Sequence, residues 1–181
     1  FLIAGSTQSY SLGHSDVYLI RTDKHGDSIW TKTYGNSQQD QVAYGIEKEN
    51  DSVYVIAGFW GNIFINSGQA FIAKVNLFGD TLVYREAGDP NLGDWTYNLS
   101  KTSDGGYLVS GTSERYNGSF FPFKQSLRKF DKNLNLLWTR YYGKTYDCEA
   151  YDAKECFDKG FIIVGYSRDI STGEDAYIVR T

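Results

Sequence analysis

Short runs of apolar and aromatic residues, each closed by Gly, Asp, Asn or Ser, follow one another along the whole chain. None holds the 3.6-residue period of an amphipathic helix, and β-branched and aromatic residues dominate them, so the pattern predicts strands separated by turns throughout. The runs recur. "FLIAG" at 1–5, "YVIAG" at 54–58, "YLVSG" at 107–111 and "FIIVG" at 161–165 close on Gly5, Gly58, Gly111 and Gly165, at intervals of 53, 53 and 54 residues. A second series, "DVYLIRTD" at 16–23, "AFIAKVN" at 70–76, "QSLRKFD" at 125–131 and "DAYIVRT" at 175–181, brings Arg21, Lys74, Lys129 and Arg180 into register. A third, "GDSIWTKTYG" at 26–35, "GDTLVYREAG" at 79–88 and "LNLLWTRYYG" at 134–143, matches Trp30 and Trp138 with Val83. The leanest series reads "QVAYGIEKENDS" at 41–52, "DWTYNLSKTSDGG" at 94–106 and "CEAYDAKECFDKG" at 148–160.

With the lean segment named A and the others B, C and D, one period predicts a four-stranded antiparallel sheet, and a period near fifty marks a propeller or solenoid. Segment B is apolar at nearly every position, as expected of a strand covered on both faces, and its glycine is expected to open the loop to C. Segment D carries Lys32, Arg85 and Arg140 in register, charge that discourages edge-to-edge pairing of an outermost strand. Segment A sets Gly45, Asn98 and Asp152 at equivalent positions, which suits an innermost strand crowded around a polar channel. The fold expected is all-β, a β-propeller with antiparallel blades of about 53 residues. The single segment 1–181 divides into a partial blade at 1–35 (B-C-D), blades at 41–88 and 94–143, and a partial blade at 148–181 (A-B-C), fourteen strands or about three and a half blades. Such a ring cannot close, so a parent of about seven or eight blades, on the order of 370–420 residues, is expected. The partners would then be its remaining blades or a self-associated copy covering the open apolar end faces.

"YLVSGTSE", "DVYLIRTDKHGDSIW" and "WTKTYG" resemble the blade repeats of bacterial secreted β-propeller proteins of the kelch-like, Bacteroidetes type, across the whole chain. The D-x-x-G-x-x-x-W run at Asp23, Gly26 and Trp30 is similar to the tryptophan-docking repeat of pyrroloquinoline-quinone-type propellers, with Val83 departing from it in one copy and Leu134 in another. The resemblance implies an extracellular or cell-surface, outer-membrane-associated location. It implies no single activity.

Composition narrows the partners. A net charge of −4 with 18 Lys and Arg scattered through the strands offers no cationic field for phosphates, so no nucleic-acid partner is expected. No run approaches the roughly 18 apolar residues of a membrane span, so no membrane insertion is expected either. The chain contains no Met, which leads to the expectation that it starts within a longer protein. Cys148 and Cys156 fall in one predicted strand, where their Cα atoms would stand about 26 Å apart against a disulfide limit of ~7 Å, so two free thiols are expected. His14 and His25 fall in predicted loops, and no C-x2-C pattern or EF-hand spacing is present. No metal or other cofactor is expected. Asp23 and Asp131, in "DKHGD" and "DKNLN", read as the residues that form Asx turns.

Function is sought on the B–C and D–A connections, which this topology brings to one face. The B–C segments "GFWGNIFINSGQ" and "GTSERYNGSFFPFKQ" are long and aromatic, placing Phe59, Trp60, Phe64, Tyr116, Phe120, Phe121 and Phe123 beside Trp95 and Tyr146 from D–A loops. Aromatic loops on a rigid scaffold supply large contact area at low rotamer entropy, and they are the candidate site for a protein or glycan ligand. Catalysis finds no paired carboxylates or nucleophile–base spacing. Asp40, Asp94 and Asp147, near the start of each A segment, read as residues that hydrogen-bond the loop backbone. The function expected is therefore a non-enzymatic binding or display module. The alternatives are a fragment of a glycan-processing or quinone-dependent propeller enzyme and a purely structural spacer.

Overall fold

The computed structural model describes residues 1–181 apart from 12, 13, 37, 63–66, 90, 91, 115–121, 144–146, 170 and 172. The described residues form fourteen strands in four antiparallel sheets, with no helix among them. The first sheet holds β1 (Leu2–Thr7), β2 (Asp16–Thr22) and β3 (Ser28–Tyr34), and the second β4 (Asp40–Lys48), β5 (Val53–Asn62), β6 (Ser67–Asn76) and β7 (Thr81–Glu86). In the third lie β8 (Asp94–Lys101), β9 (Tyr107–Glu114), β10 (Phe123–Phe130) and β11 (Leu136–Tyr142), and in the fourth β12 (Cys148–Glu155), β13 (Phe161–Asp169) and β14 (Gly173–Arg180). Each sheet is a meander in chain order, and none closes on itself.

The sheets stack in sequence, the first strand of each lying against the sheet before it: β4 on β1 and β2, β8 on β5 and β6, and β12 on β9 and β10. Strand alternation then sorts one apolar run into two cores. Ile56 of β5 packs toward Val17 and Leu19 of the first sheet, whereas its neighbours Val55 and Ala57 pack toward Leu99, Val109 and Phe130 of the third. On β9, Leu108 faces Ala150 and Ile163 of the fourth sheet while Tyr107 and Val109 face the second. The nearly continuous hydrophobicity of "YVIAG" and "YLVSG" thus follows from having a sheet on each side. The corresponding runs of β1 and β13 depart from the expected full burial. Ile163 is fully buried, but Ile3 is 50 % and Val164 38 % exposed, because no described sheet covers their outer faces.

The glycine that closes each run is a second departure. Gly58, Gly111 and Gly165 lie within β5, β9 and β13 and begin no loop. Each faces a β-bulge in the neighbouring first strand, at 43/45 of β4, 96/98 of β8 and 150/152 of β12. There the partner backbone folds inward, and a Cβ would stand 2.0 Å from the Val42 carbonyl oxygen, 1.8 Å from that of Trp95 and 1.8 Å from that of Glu149. Only glycine leaves room for that approach. Gly5, whose strand has no such neighbour, would meet nothing within 4 Å.

The outer strands behave as their charges predict. Lys32, Arg85 and Arg140 stand on β3, β7 and β11, each an edge of its sheet, opposite Leu19, Ile72 and Leu127. The preceding turns are Asx turns: Asp23, Asn76 and Asp131 each accept the backbone N–H two and four residues on. Trp30 Nε1 donates to the Leu77 carbonyl in the turn of the next sheet at 3.1 Å. Leu134, at the position of Gly26 and Gly79, keeps their left-handed conformation (φ 63°) while its side chain enters the core between the second and third sheets. Neither cysteine forms a disulfide, as expected.

Candidate functional site

Of the aromatic residues singled out by sequence, Phe64, Tyr116, Phe120, Phe121 and Tyr146 lie outside the described residues. Phe59, Trp60 and Trp95 do not sit on long loops. The hairpin of β5 and β6 keeps its ladder to Asn62 and Ser67, pairing Phe59 with Ala70 and Trp60 with Gln69, and Trp95 is the second residue of β8. Strand alternation sends the first two in opposite directions. Phe59 is buried and stacks on Trp95 (centroids 5.8 Å, planes 7° apart), which in turn meets Phe123 edge-on at 5.6 Å. Trp60 turns the other way and lines a cavity of about 370 Å³ between the first and second sheets, with Tyr34, Gln41, Ile56, Tyr84 and Glu86. Its Nε1 is buried there without a hydrogen-bond partner.

The bulges build what sequence reading did not single out. The extra residue at each bulge is a tyrosine: Tyr44 on β4, Tyr97 on β8 and Tyr151 on β12. Because the three strands lie side by side, the rings form a row, Tyr44 against Tyr97 at 5.9 Å and Tyr97 against Tyr151 at 5.6 Å, extended by Tyr166 of β13 at 6.0 Å. Tyr44 and Tyr151 are half exposed, so the row presents aromatic surface to solvent. Gly45, Asn98 and Asp152, the equivalent A-segment residues, follow the tyrosines directly, and a Cβ on Gly45 would stand 2.5 Å from Leu99 Cβ, so β4 and β8 approach closely there. The sequence carried a signal for the row, since "AYG", "TYN" and "AYD" occupy the same offset in each A segment.

A carboxylate, Glu149, stands at the end of the row, accepting a hydrogen bond from Tyr166 Oη at 3.0 Å. Burial, followed by the negative charge of Glu149, pushes the phenols of Tyr97, Tyr151 and Tyr166 upward, and burial raises Tyr44. All four remain hydroxyl donors at neutral pH. Beside Glu149, a cavity of about 210 Å³ opens among Trp95, Tyr97, Thr112 and Phe123.

Buried polar contacts hold this end in place. Asp40 accepts from Ser15 N (3.0 Å), Asp94 from Asp89 N (2.6 Å) and Asp147 from Phe123 N (3.0 Å), the loop-holding role read from their recurrence. Asp94 is also ion-paired to Arg128, and both are almost fully buried, with Ser113 and Ser126 donating or accepting around them. That pair fixes the first residue of β8 and hence the adjoining Trp95. His14 Nδ1 lies 4.0 Å from Asp40, and the described residues contain no group of three or more His, Cys, Asp or Glu placed to hold a metal ion. No protein-family model matches the chain, and no curated protein matches it in sequence.

Proposed function

We propose that the four sheets are blades of a β-propeller and that the chain is a non-enzymatic recognition module of a secreted or cell-surface bacterial protein, binding a protein or glycan at its aromatic end. The blade reading draws support from sheets stacked in series, first strands gathered side by side and charged strands outermost, together with the resemblance to kelch-like and quinone-type blade repeats. The exposed apolar residues Ile3, Ile29, Ile162 and Ile178 on the first and last sheets suit partners that are further blades or a second copy. The observation that carries the binding reading is the row Tyr44–Tyr97–Tyr151–Tyr166 joined to the stack Phe59–Trp95–Phe123, large rigid rings with hydroxyl donors on a backbone fixed by bulges. Such surfaces combine contact area with hydrogen bonding and need no cofactor.

The test is a screen of the purified, labelled chain on a glycan microarray and a random-peptide array, repeated with a Tyr97→Ala/Tyr151→Ala variant. Hits that vanish in the variant while its melting temperature stays within a few degrees are the expected result. Absence of hits on both arrays, or hits that survive the double substitution, would overturn the reading.

A further inference from the structure

The 210 Å³ cavity at the end of the tyrosine row brings aromatic residues together with a carboxylate. It is lined by three aromatic residues, Trp95, Tyr97 and Phe123, with the acidic Glu149 and the hydroxyl-bearing Thr112. Aromatic faces carry the negative lobes of their quadrupoles, so rings gathered with a carboxylate make a field that favours a cation. The rings are held firmly. Trp95 is stacked on Phe59 behind it and stands at 85° to Phe123, while Tyr97 is braced by Tyr44 and Tyr151. Tyr166 anchors the Glu149 carboxylate, which has no Lys or Arg partner among the described residues.

Thr112 supplies an independent observation. It is 1 % exposed, and its Oγ1 is buried with no hydrogen-bond partner. Native proteins rarely leave such a hydroxyl unmet, and an ordered water, an ion or a ligand group is what completes it. A ligand carrying N–H groups could donate to Oγ1 and to the carboxylate while its positive charge lies among the rings. The volume admits a compact head group and is below the roughly 300–1,000 Å³ of sites for drug-sized molecules.

We propose that this cavity receives an N–H-bearing organic cation, an alkylammonium or guanidinium head such as the basic side chain of a protein partner, with Trp95, Tyr97 and Phe123 as cation–π walls, Glu149 as counter-charge and Thr112 as the acceptor that orients it. The assignment rests on reading the aromatic end as a recognition surface and names what one part of it takes.

The experiment titrates the full chain with n-butylammonium, n-butylguanidinium, tetramethylammonium and neutral butyramide, following tryptophan fluorescence and ring-proton NMR shifts, alongside lysine- and arginine-containing peptides. Both N–H-bearing cations are expected to bind, butyramide is not, and Glu149→Gln should weaken the cations at least tenfold with the fold intact. Thr112→Val, which removes the unmet hydroxyl without changing shape, should keep the melting temperature and erase the preference for butylammonium over tetramethylammonium. Tighter binding of the peptides than of butylammonium identifies a protein side chain as the source; equal binding identifies a free amine. Butyramide binding as well as the amine, or affinity unchanged in Glu149→Gln, overturns the cation assignment. If array hits are still lost in Tyr97→Ala/Tyr151→Ala, the recognition surface then survives without it.

Discussion

Alanine at two positions of the same recurring pentapeptide should have opposite effects. At Gly111 the new Cβ would lie 1.8 Å from the Trp95 carbonyl oxygen and 3.0 Å from Thr96 Cα, both backbone or backbone-bonded atoms that cannot swing aside. Ordinary contact needs more than an ångström of extra separation, which would pull β8 away from β9 at the bulge. Overpacking alone costs about 1–3 kcal/mol, and loss of one or two ladder hydrogen bonds adds about 1 kcal/mol each, so Gly111→Ala should destabilise by roughly 2–5 kcal/mol. Gly5 meets nothing within 4 Å, and replacing a strand-interior glycine there should stabilise by about 0.5–1 kcal/mol. Urea denaturation followed by tryptophan fluorescence, with m-values compared to confirm a common unfolded state, measures both. The pair also tests the link to the site, because the bulge opposite Gly111 is what projects Tyr97. If the two alanine variants differ by less than about 1 kcal/mol, the claim that each glycine exists to admit a bulge fails.

Three further outcomes follow from the same packing. Leu134→Ala keeps the left-handed conformation and loses core packing, whereas Leu134→Gly loses packing but relieves about 1 kcal/mol of strain; denaturation midpoints should rank Leu above Gly above Ala, the reverse of the usual Ala-over-Gly order in a core. Arg128→Ala strands the buried Asp94 carboxylate and should cost about 3–5 kcal/mol, measured in the same titration, with the Trp95 emission shifting as β8 loosens. Burial, followed by the charges of Asp80 and Glu86, pushes Tyr34 and Tyr84 from 10.0 to about 12, so the folded protein holds those protons more tightly than the unfolded chain. That contribution is intact below pH 10 and is lost as pH rises toward 12; melting temperature against pH, with tyrosinate absorbance recorded in parallel, should fall across this window and stay level if the phenols titrate normally.

The architecture was legible because its constraints are periodic. Two-sided burial wrote a largely apolar run into the first half of β5 and of β9, exposed edges wrote Lys32, Arg85 and Arg140 into the outer strands, and turn geometry wrote Asp23, Asn76 and Asp131 ahead of the hairpins. Each is a local rule that one chain segment satisfies by itself. The open end faces were legible from the strand count, but which residues of β1 and β13 they expose was not, since the same apolar letters serve whether or not a sheet covers them; Ile3 and Ile163 differ only in what lies opposite.

The site was harder to read for a related reason. Phe59 and Trp60 are adjacent letters of equal hydrophobicity, yet one is packed beneath Trp95 and the other lines a separate cavity, because their strand continues past the glycine where a loop was expected. The tyrosines were visible at a fixed offset but carried no apparent role, since an alternating strand would point them to the same face as their neighbours two residues away. Only the bulge breaks that alternation, and it is specified by the glycine on the partner strand about fourteen residues downstream, Gly58 for Tyr44, Gly111 for Tyr97 and Gly165 for Tyr151. A lone tyrosine in a lean strand says little; a tyrosine paired at that distance with a glycine closing an apolar run states both the bulge and the direction of the ring. The recurring glycine and the aromatic row are thus one device, in which the backbone space left by a missing side chain sets the position of another.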